Sequence, residues 1–255
     1  MEQGSEQGKR AIDQLVGLGQ VRVWSVIITI FGDAVVSRGG EVAASTLSAL
    51  TEQMGVKPEA FRVALSRLTK DGWITRRKRG RLSFYQLSAQ GAAEFGPATK
   101  RIYATAPGSA EGWKLVLLPS GAAEETPLRG ISLGGRAYLV GPEDKTAQGF
   151  QVSGGFDVIP DWVRARVGPD DLMQGYAALE TVLADLDIAN LSDRQSAALR
   201  VLVVHQWRRL VLRHADLPER FFPDGWKGEA CRAHVLQLLG NLSAASDRWF
   251  DNQTS

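Results

Sequence analysis

Hydrophobic positions near the start of the chain repeat with helical spacing. Val23, Ile27, Ile30, Phe31 and Ala34 form one stripe, although their valine and isoleucine content would also allow a strand. The spacing favours a helix. A turn signal rich in glycine follows at residues 37–40.

The next two hydrophobic stretches carry the boundary signals of helices. Ser45 is placed to cap the first, which repeats apolar residues at helical spacing and closes at Gly55. The second begins at Pro58, a residue suited to the first helical position, and ends with Lys70 before Gly72. Its apolar positions define a buried side, so its polar and basic positions face outward.

A hairpin is predicted directly after these helices. Residues 73–75 and 82–87 alternate like strands, and the basic run 76–81 lies between them. Two helices joined by a tight turn at residues 55–57 and followed by a hairpin are typical of a winged helix-turn-helix. We therefore predict such a domain over residues 21–97.

The remaining chain divides by composition. Residues 1–20 are predicted to be a flexible polar tail, and residues 98–168 a small α+β module with strands at 113–118, 136–140 and 150–158. Residues 169–255 are predicted to form a helical domain, with helices at about 170–186, 192–214 and 228–250. The predicted fold class is α+β multidomain.

The charge of the chain is concentrated in one short segment. Residues 57–81 contain nine basic and two acidic residues, a net charge of +7, whereas the whole chain carries +2. Such concentration indicates a polyanionic partner, and the predicted domain makes that partner double-stranded DNA. A solvated basic turn, or a winged helix that binds another protein, remains the alternative.

The predicted geometry assigns separate tasks to the basic segment. Residues early on the second helix are expected to reach base edges, and the basic tip of the hairpin is expected to bind phosphates. The base-reading candidates are Glu59, Arg62 and Ser66. The phosphate candidates are Lys57, Lys70, Arg76, Arg77, Lys78, Arg79 and Arg81. Arg67 lies at the flank of the helix, where it contacts DNA or forms an ion pair within the chain.

Residues that could form a catalytic or metal-binding site are few. The three histidines and the single cysteine, Cys231, show no metal-ligand spacing and no arrangement of a nucleophile with a base, so we expect no enzyme, no catalytic residue, no metal and no cofactor. No apolar run is long enough to cross a bilayer and no signal peptide is evident, so we expect a cytoplasmic protein. His205 and Arg208 share a largely apolar helix face. They are either a hydrogen-bonded core histidine and an arginine in an interdomain ion pair, or part of an effector pocket.

Several motifs together resemble the PaaX family of bacterial repressors of phenylacetate degradation. They are WSVIITIFGD (24–33), FRVALSRL (61–68), GWI (72–74), RIY (101–103), WKLV (113–116), HQWRR (205–209), DLP (216–218), FP (222–223) and WKG (226–228). The resemblance covers nearly the whole chain. It implies an N-terminal winged helix, a central Cas2-like (ferredoxin-like) module and a C-terminal helical domain, although the segment between Leu118 and Ile131 is short for a crossover helix.

The resemblance also implies a function. Family members are dimeric repressors that phenylacetyl-CoA or a related aryl-CoA thioester releases from the operator. Such a ligand needs basic groups for its phosphates and an apolar slot for its aryl group. The effector-binding candidates are His205, Trp207, Arg208, Arg209 and Trp226.

Two other functions remain open at this point. The winged helix is also compatible with a protein-interaction module of a larger assembly. The likeness to Cas2 raises a metal-dependent nuclease as a remote option, for which the central segment offers only the scattered carboxylates of Glu143, Asp144 and Asp157.

Overall fold

The protein is represented by a computed structural model, which describes residues 2–19, 21–105, 112–120, 130–142, 149–155 and 157–253. The chain forms two compact units, and each combines segments that are distant in sequence. The first unit contains Met1–Tyr103, Thr181–Arg208 and Ala233–Ser255. The second unit contains Ala104–Glu180 and Arg209–Arg232.

The first unit opens with a helix, α1 (Glu2–Gly17), so the prediction of a flexible tail over residues 1–20 was wrong. Ala11, Ile12 and Leu15 are buried at helical spacing, and Gln206 donates a hydrogen bond to the Leu15 carbonyl over 2.6 Å. The polar residues that suggested a tail form the other side of an amphipathic helix, which packing stabilises.

The predicted stripe at residues 23–34 is confirmed as helical. Helix α2 (Val23–Ile30) is followed by a π-helical turn (Phe31–Val35) and a short 3-10 turn (Val36–Arg38). Every residue from Val26 to Phe31 is buried. The valines and isoleucines therefore lie in the core of the first unit.

Two further helices are confirmed, α3 (Ala44–Gln53) and α4 (Pro58–Lys70). The predicted cap of α3 was wrong, because Ala43 occupies the N-cap position and Ser45 lies within the first turn. Chain reversal after α3 uses Gly55, whose φ of 74° is the left-handed conformation that glycine adopts without strain.

A three-stranded antiparallel sheet completes the N-terminal part. Its strands β1 (Glu41–Ala43), β2 (Ile74–Arg79) and β3 (Leu82–Leu87) have the order β1-β3-β2. In the hairpin, Ile74 lies opposite Leu87 and Arg79 lies opposite Leu82. Gly80 makes the turn with a φ of 59°. Helix α5 (Ala89–Ile102) follows, with Ser88 accepting a hydrogen bond from the backbone of Gly91.

The second unit contains a four-stranded antiparallel sheet of order β5-β6-β4-β7. Its strands are β4 (Lys114–Leu117), β5 (Ile131–Gly134), β6 (Ala137–Val140) and β7 (Phe150–Val152). The sequence patterns missed β5, and β7 is shorter than predicted. The predicted ferredoxin-like arrangement also requires two crossover segments, whose residues lie largely outside the described range, so it stays a prediction.

Four α-helices lie within residues 157–253, the last range that the structure describes, and the three that were predicted after residue 169 are confirmed. They are α6 (Asp161–Val167), α7 (Asp170–Ala184), α8 (Asp193–Val211) and α9 (Gly228–Asp251). The predicted cap at Ser192 is present: its hydroxyl accepts from the Gln195 backbone N–H over 3.2 Å, while Gln195 Oε1 accepts from the Ser192 backbone. This reciprocal pair is a capping box.

Candidate functional site

Helix α4 presents the three base-reading candidates on its solvent side. Phe61, Ala64, Leu65 and Leu68 bury the opposite side, so that Glu59, Arg62 and Ser66 are exposed. Nη2 of Arg62 lies 3.1 Å from the Glu59 carboxylate. The side chains of this ion pair are more than 70% exposed, so it is weak and yields readily to a ligand.

The phosphate candidates of the hairpin lie mostly along strand β2 and not at the tip. Arg76 to Arg79 belong to the strand, and only Arg81 follows the glycine of the turn. Alternate residues of a strand point to opposite faces, so the four basic side chains divide between both faces of the hairpin. Arg76 donates to the Ser83 hydroxyl over 2.7 Å, and Arg79 pairs with Glu41 over 2.6 Å.

Helix α4 and strand β2 are joined by residues 71–73, so the two basic elements are neighbours in the fold. Lys57 stands at the N-cap of α4 and Lys70 in its last turn, and both are exposed. Arg67 forms an ion pair with Asp71 over 3.4 Å, which is the intramolecular alternative of the sequence prediction. We call the exposed cations of these two adjoining elements the basic surface: Lys57, Arg62, Lys70, Arg76, Arg77, Lys78, Arg79 and Arg81.

Two of the effector candidates meet around one threonine. Nδ1 of buried His205 lies 3.1 Å from the Thr29 hydroxyl, and Nη1 of Arg208 donates to the same oxygen over 2.9 Å. Thr29 donates its one hydrogen to the Ser25 carbonyl, so the proton of His205 lies on Nδ1. Arg208 also donates to the Ser25 carbonyl over 3.2 Å.

Arg208 is not in an ion pair within the described part of the chain, contrary to one of the two alternatives that its position suggested. Burial lowers the pKa of its guanidinium. The hydrogen bonds of Arg208 within the described residues go to neutral oxygen acceptors.

The other effector candidates lie apart from this pair. Trp207 is 1% exposed and donates its indole N–H to the Ile102 carbonyl over 2.9 Å, as a core residue does. Arg209 is exposed at the surface of the second unit. Trp226 stacks on Phe222 with 3.9 Å between the ring centroids, within the second unit.

A buried charged network that the sequence analysis did not predict lies in the first unit. Asp33, in the π-helical turn, has no exposed side-chain surface and accepts two hydrogen bonds of 2.8 Å from Arg200. Tyr103 donates to the same carboxylate over 2.7 Å. Burial, then the charge of Asp33, raises the pKa of Tyr103 far above its ordinary value. The only sequence signal was that Asp33 and Tyr103 fall in family-like motifs.

Within the described residues no group of three His, Cys, Asp or Glu side chains converges to hold a metal ion. Of the carboxylates considered for a nuclease, Asp157 is exposed, while Glu143 and Asp144 lie outside the described residues. The helices of the described ranges are also too short or too polar to span a membrane.

The fold and the basic surface define a mixed α/β protein with an exposed cationic helix and hairpin suited to a polyanion. Sequence profiles of the family described as "PaaX-like protein" match residues 22–91, and those of "PaaX-like protein C-terminal domain" match residues 170–252. The chain belongs to the PaaX-like family. It is 25% identical over 256 residues to the "Transcriptional repressor PaaX" of Escherichia coli (strain K12), covering 87% of this chain and 81% of that protein.

A solved structure shares the fold. The "Uncharacterized protein Rv0674 from Mycobacterium tuberculosis" superposes with a TM-score of 0.52 at 19% identity, covering 88% of this chain and 97% of that one. This likeness concerns the fold alone. It extends over both compact units, because it covers most of the chain.

Proposed function

We propose that this protein is a sequence-specific DNA-binding transcriptional repressor, with a winged helix-turn-helix formed by α3, α4 and the β2–β3 hairpin. The single observation that carries the proposal is the basic surface, whose cations are exposed on one helix and one hairpin that adjoin in the fold. Helix α4 enters the major groove, where Arg62, Glu59 and Ser66 read base edges. The hairpin and the ends of α4 hold phosphates.

Family membership supports the regulatory role, and the E. coli relative bears the name of a repressor. We further propose that the protein acts as a cytoplasmic homodimer and is no enzyme. Its target is an aromatic-acid catabolic operon of the phenylacetate type, and an aryl-CoA thioester such as phenylacetyl-CoA releases it. His205 and Arg208 are the candidates that the structure brings together, and an anionic group of the effector is the natural partner of Arg208.

The experiment that tests the DNA-binding proposal is selection of duplexes from a random pool, followed by salt titration of the selected site. A repressor selects a palindrome, and its affinity falls steeply as salt rises because phosphate contacts release counterions. Changing Arg76, Arg77, Lys78 and Arg79 together to Gln weakens binding on every duplex. Absence of salt-dependent binding would instead favour a protein-interaction module.

The effector proposal is tested by thermal stability with phenylacetyl-CoA, because a ligand that binds only the folded state raises the melting temperature. Arg208→Met removes the buried cation at similar volume and abolishes that shift, whereas Arg10→Met, on the exposed side of α1, leaves it unchanged. No shift with the unchanged protein would contradict the proposal.

A further inference from the structure

A cavity of about 380 Å³ lies beside the hairpin, within the first unit. Its walls come from the π-helical turn, from β1, from β3 and from the end of α9. Val42, Leu82, Phe84 and Phe250 contribute apolar surface to it. A volume of this size suits a one-ring organic molecule, and it is too small for a whole CoA thioester.

Two arginines reach the cavity, and they differ in how fully they are engaged. Arg38 is fixed: its Nη1 donates to the Ala34 carbonyl over 2.6 Å, its Nη2 contacts Asp247, and its guanidinium lies 5.1 Å from the centre of the Phe250 ring. It therefore holds the aromatic wall in place.

Arg79 is the arginine that is able to receive a ligand. Its Nη2 pairs with Glu41 over 2.6 Å, and its guanidinium lies 4.7 Å from the centre of the Phe84 ring. About half of the side chain is exposed. A guanidinium has five donors in a planar fork, so a second carboxylate has donors to bind beside Glu41.

The lining combines aromatic and aliphatic surface with the polar side chains of Ser45, Thr46 and Gln253 and with the Arg79–Glu41 ion pair, which suits a ligand with a flat apolar body and one polar group. The donors of Arg79 that do not contact Glu41 favour an anion over its neutral analogue. Neither property suits a metal ion or a nucleotide. We propose that this cavity is a binding site for a small aromatic carboxylate, whose ring packs beside Phe84 and Phe250 and whose carboxylate binds Arg79.

Occupancy of the cavity has a consequence for the hairpin. Arg79 is one of the phosphate candidates, and a bound carboxylate neutralises it while contacting β1, β3 and α9 at once. A ligand here therefore competes with a phosphate for the same guanidinium. This regulatory step rests on the proposed function, whereas binding of the ligand does not.

Calorimetric titration of the full-length protein with benzoate, in the absence of DNA, tests the site directly. We expect saturable binding with a Kd below about 1 mM, and none with benzamide, its neutral analogue. Arg79→Gln weakens benzoate binding at least about tenfold, because it removes a charge-assisted hydrogen bond. Arg77→Gln is the matched control, since it removes a charge from the same strand and face but does not line the cavity.

A second variant tests the cavity without changing charge. Ala43 lines it with extended backbone, so Ala43→Leu is tolerated by the chain and fills the space. This variant is expected to abolish benzoate binding while its melting temperature stays close to that of the unchanged protein. No saturable benzoate binding, equal binding of benzamide, or equal losses in Arg77→Gln and Arg79→Gln would each overturn the site.

The regulatory consequence is read separately, from the affinity for the selected duplex with and without benzoate. Benzoate is expected to lower that affinity in the unchanged protein and not in Ala43→Leu. Benzoate binding without any DNA binding would leave the site standing and refute the proposed function. DNA binding that benzoate leaves unchanged would refute the regulatory step.

Discussion

Two populations of arginines in this chain lie in opposite environments. Those of the basic surface, such as Arg62 and Arg77, are exposed and make at most weak ion pairs within the chain. Arg200 is only 17% exposed, and it binds a fully buried carboxylate with two parallel hydrogen bonds. The comparison shows that the exposed cations are available to a polyanion, whereas the buried cation is committed to the fold.

The buried population is itself divided. Burial opposes the charge of Arg200, but the charge and hydrogen bonds of Asp33 more than offset that effect and raise its pKa. Within the part of the chain that the structure describes, the hydrogen bonds of Arg208 go to neutral oxygens, and burial lowers its pKa. Arg200 therefore carries a charge that Asp33 compensates within the fold, whereas no ion pair within the described residues compensates the charge of Arg208.

The largest loss of stability is expected from breaking the buried ion pair between Asp33 and Arg200. Asp33→Asn keeps the shape of the side chain but removes the carboxylate charge that pairs directly with the Arg200 guanidinium. Removing one partner of a buried pair costs about 3–5 kcal/mol, so we expect a loss of that size in the free energy of unfolding, measured with denaturant. Asp71→Asn is the control, because Asp71 pairs with the exposed Arg67, and its cost stays below about 1 kcal/mol. Equal costs at the two sites would remove the distinction between the populations.

The next largest loss of stability is expected from removing the Tyr103 hydroxyl, and its size depends on pH. Tyr103→Phe removes the hydrogen bond to Asp33 and is expected to cost about 1.5–3 kcal/mol at neutral pH. The folded pKa of Tyr103 lies above its unfolded value, so its contribution is present below the ordinary tyrosine pKa of about 10 and is lost as pH rises beyond it. The difference in free energy of unfolding between the unchanged protein and Tyr103→Phe is therefore expected to shrink as pH rises from about 8 to about 11. A constant difference across that range would contradict this origin.

Local patterns were sufficient to predict the elements of the basic surface. The proline start of α4, its apolar period and the presence of the hairpin all depend on neighbours within a few positions, and the structure confirms each of them. The bounds of the first hairpin strand were wrong, because the basic residues Arg76 to Arg79 continue the strand that was predicted to end at Thr75. The flexible tail was predicted wrongly because the burial of Ile12 and Leu15 depends on packing with the rest of the first unit, including Gln206, which is distant in sequence.

The buried network and the cavity were not predicted for the same reason. Asp33 and Arg200 are 167 positions apart, and no local rule links a carboxylate in one helix to a guanidinium in another. The cavity likewise joins Phe84 to Phe250 through the fold. Periodicity identifies which face of a helix is buried, but it does not identify the partner across the interface.

Within the basic surface, loss of a base contact lowers the preference for one DNA sequence, whereas loss of a phosphate contact lowers the affinity for every sequence. Arg62→Ala is expected to reduce discrimination between the selected duplex and an unrelated one by about 1–3 kcal/mol, because a base contact is lost. Binding to the unrelated duplex and the free energy of unfolding stay nearly the same. Arg10→Ala, which removes another exposed arginine paired with a glutamate, is expected to change neither affinity. Equal losses on both duplexes would reassign Arg62 to a phosphate.

The smallest effect on the fold, and the most uniform effect on DNA, is expected from Arg77→Gln. Arg77 is exposed on β2, so its loss changes the free energy of unfolding by less than about 0.5 kcal/mol. Loss of one phosphate contact makes the slope of log affinity against log salt concentration less steep by about 0.9 on every duplex. Affinities measured from low to moderate salt concentration detect this change. An unchanged slope would mean that the hairpin charge serves solvation alone, and the exposed population of arginines would then lack a common function.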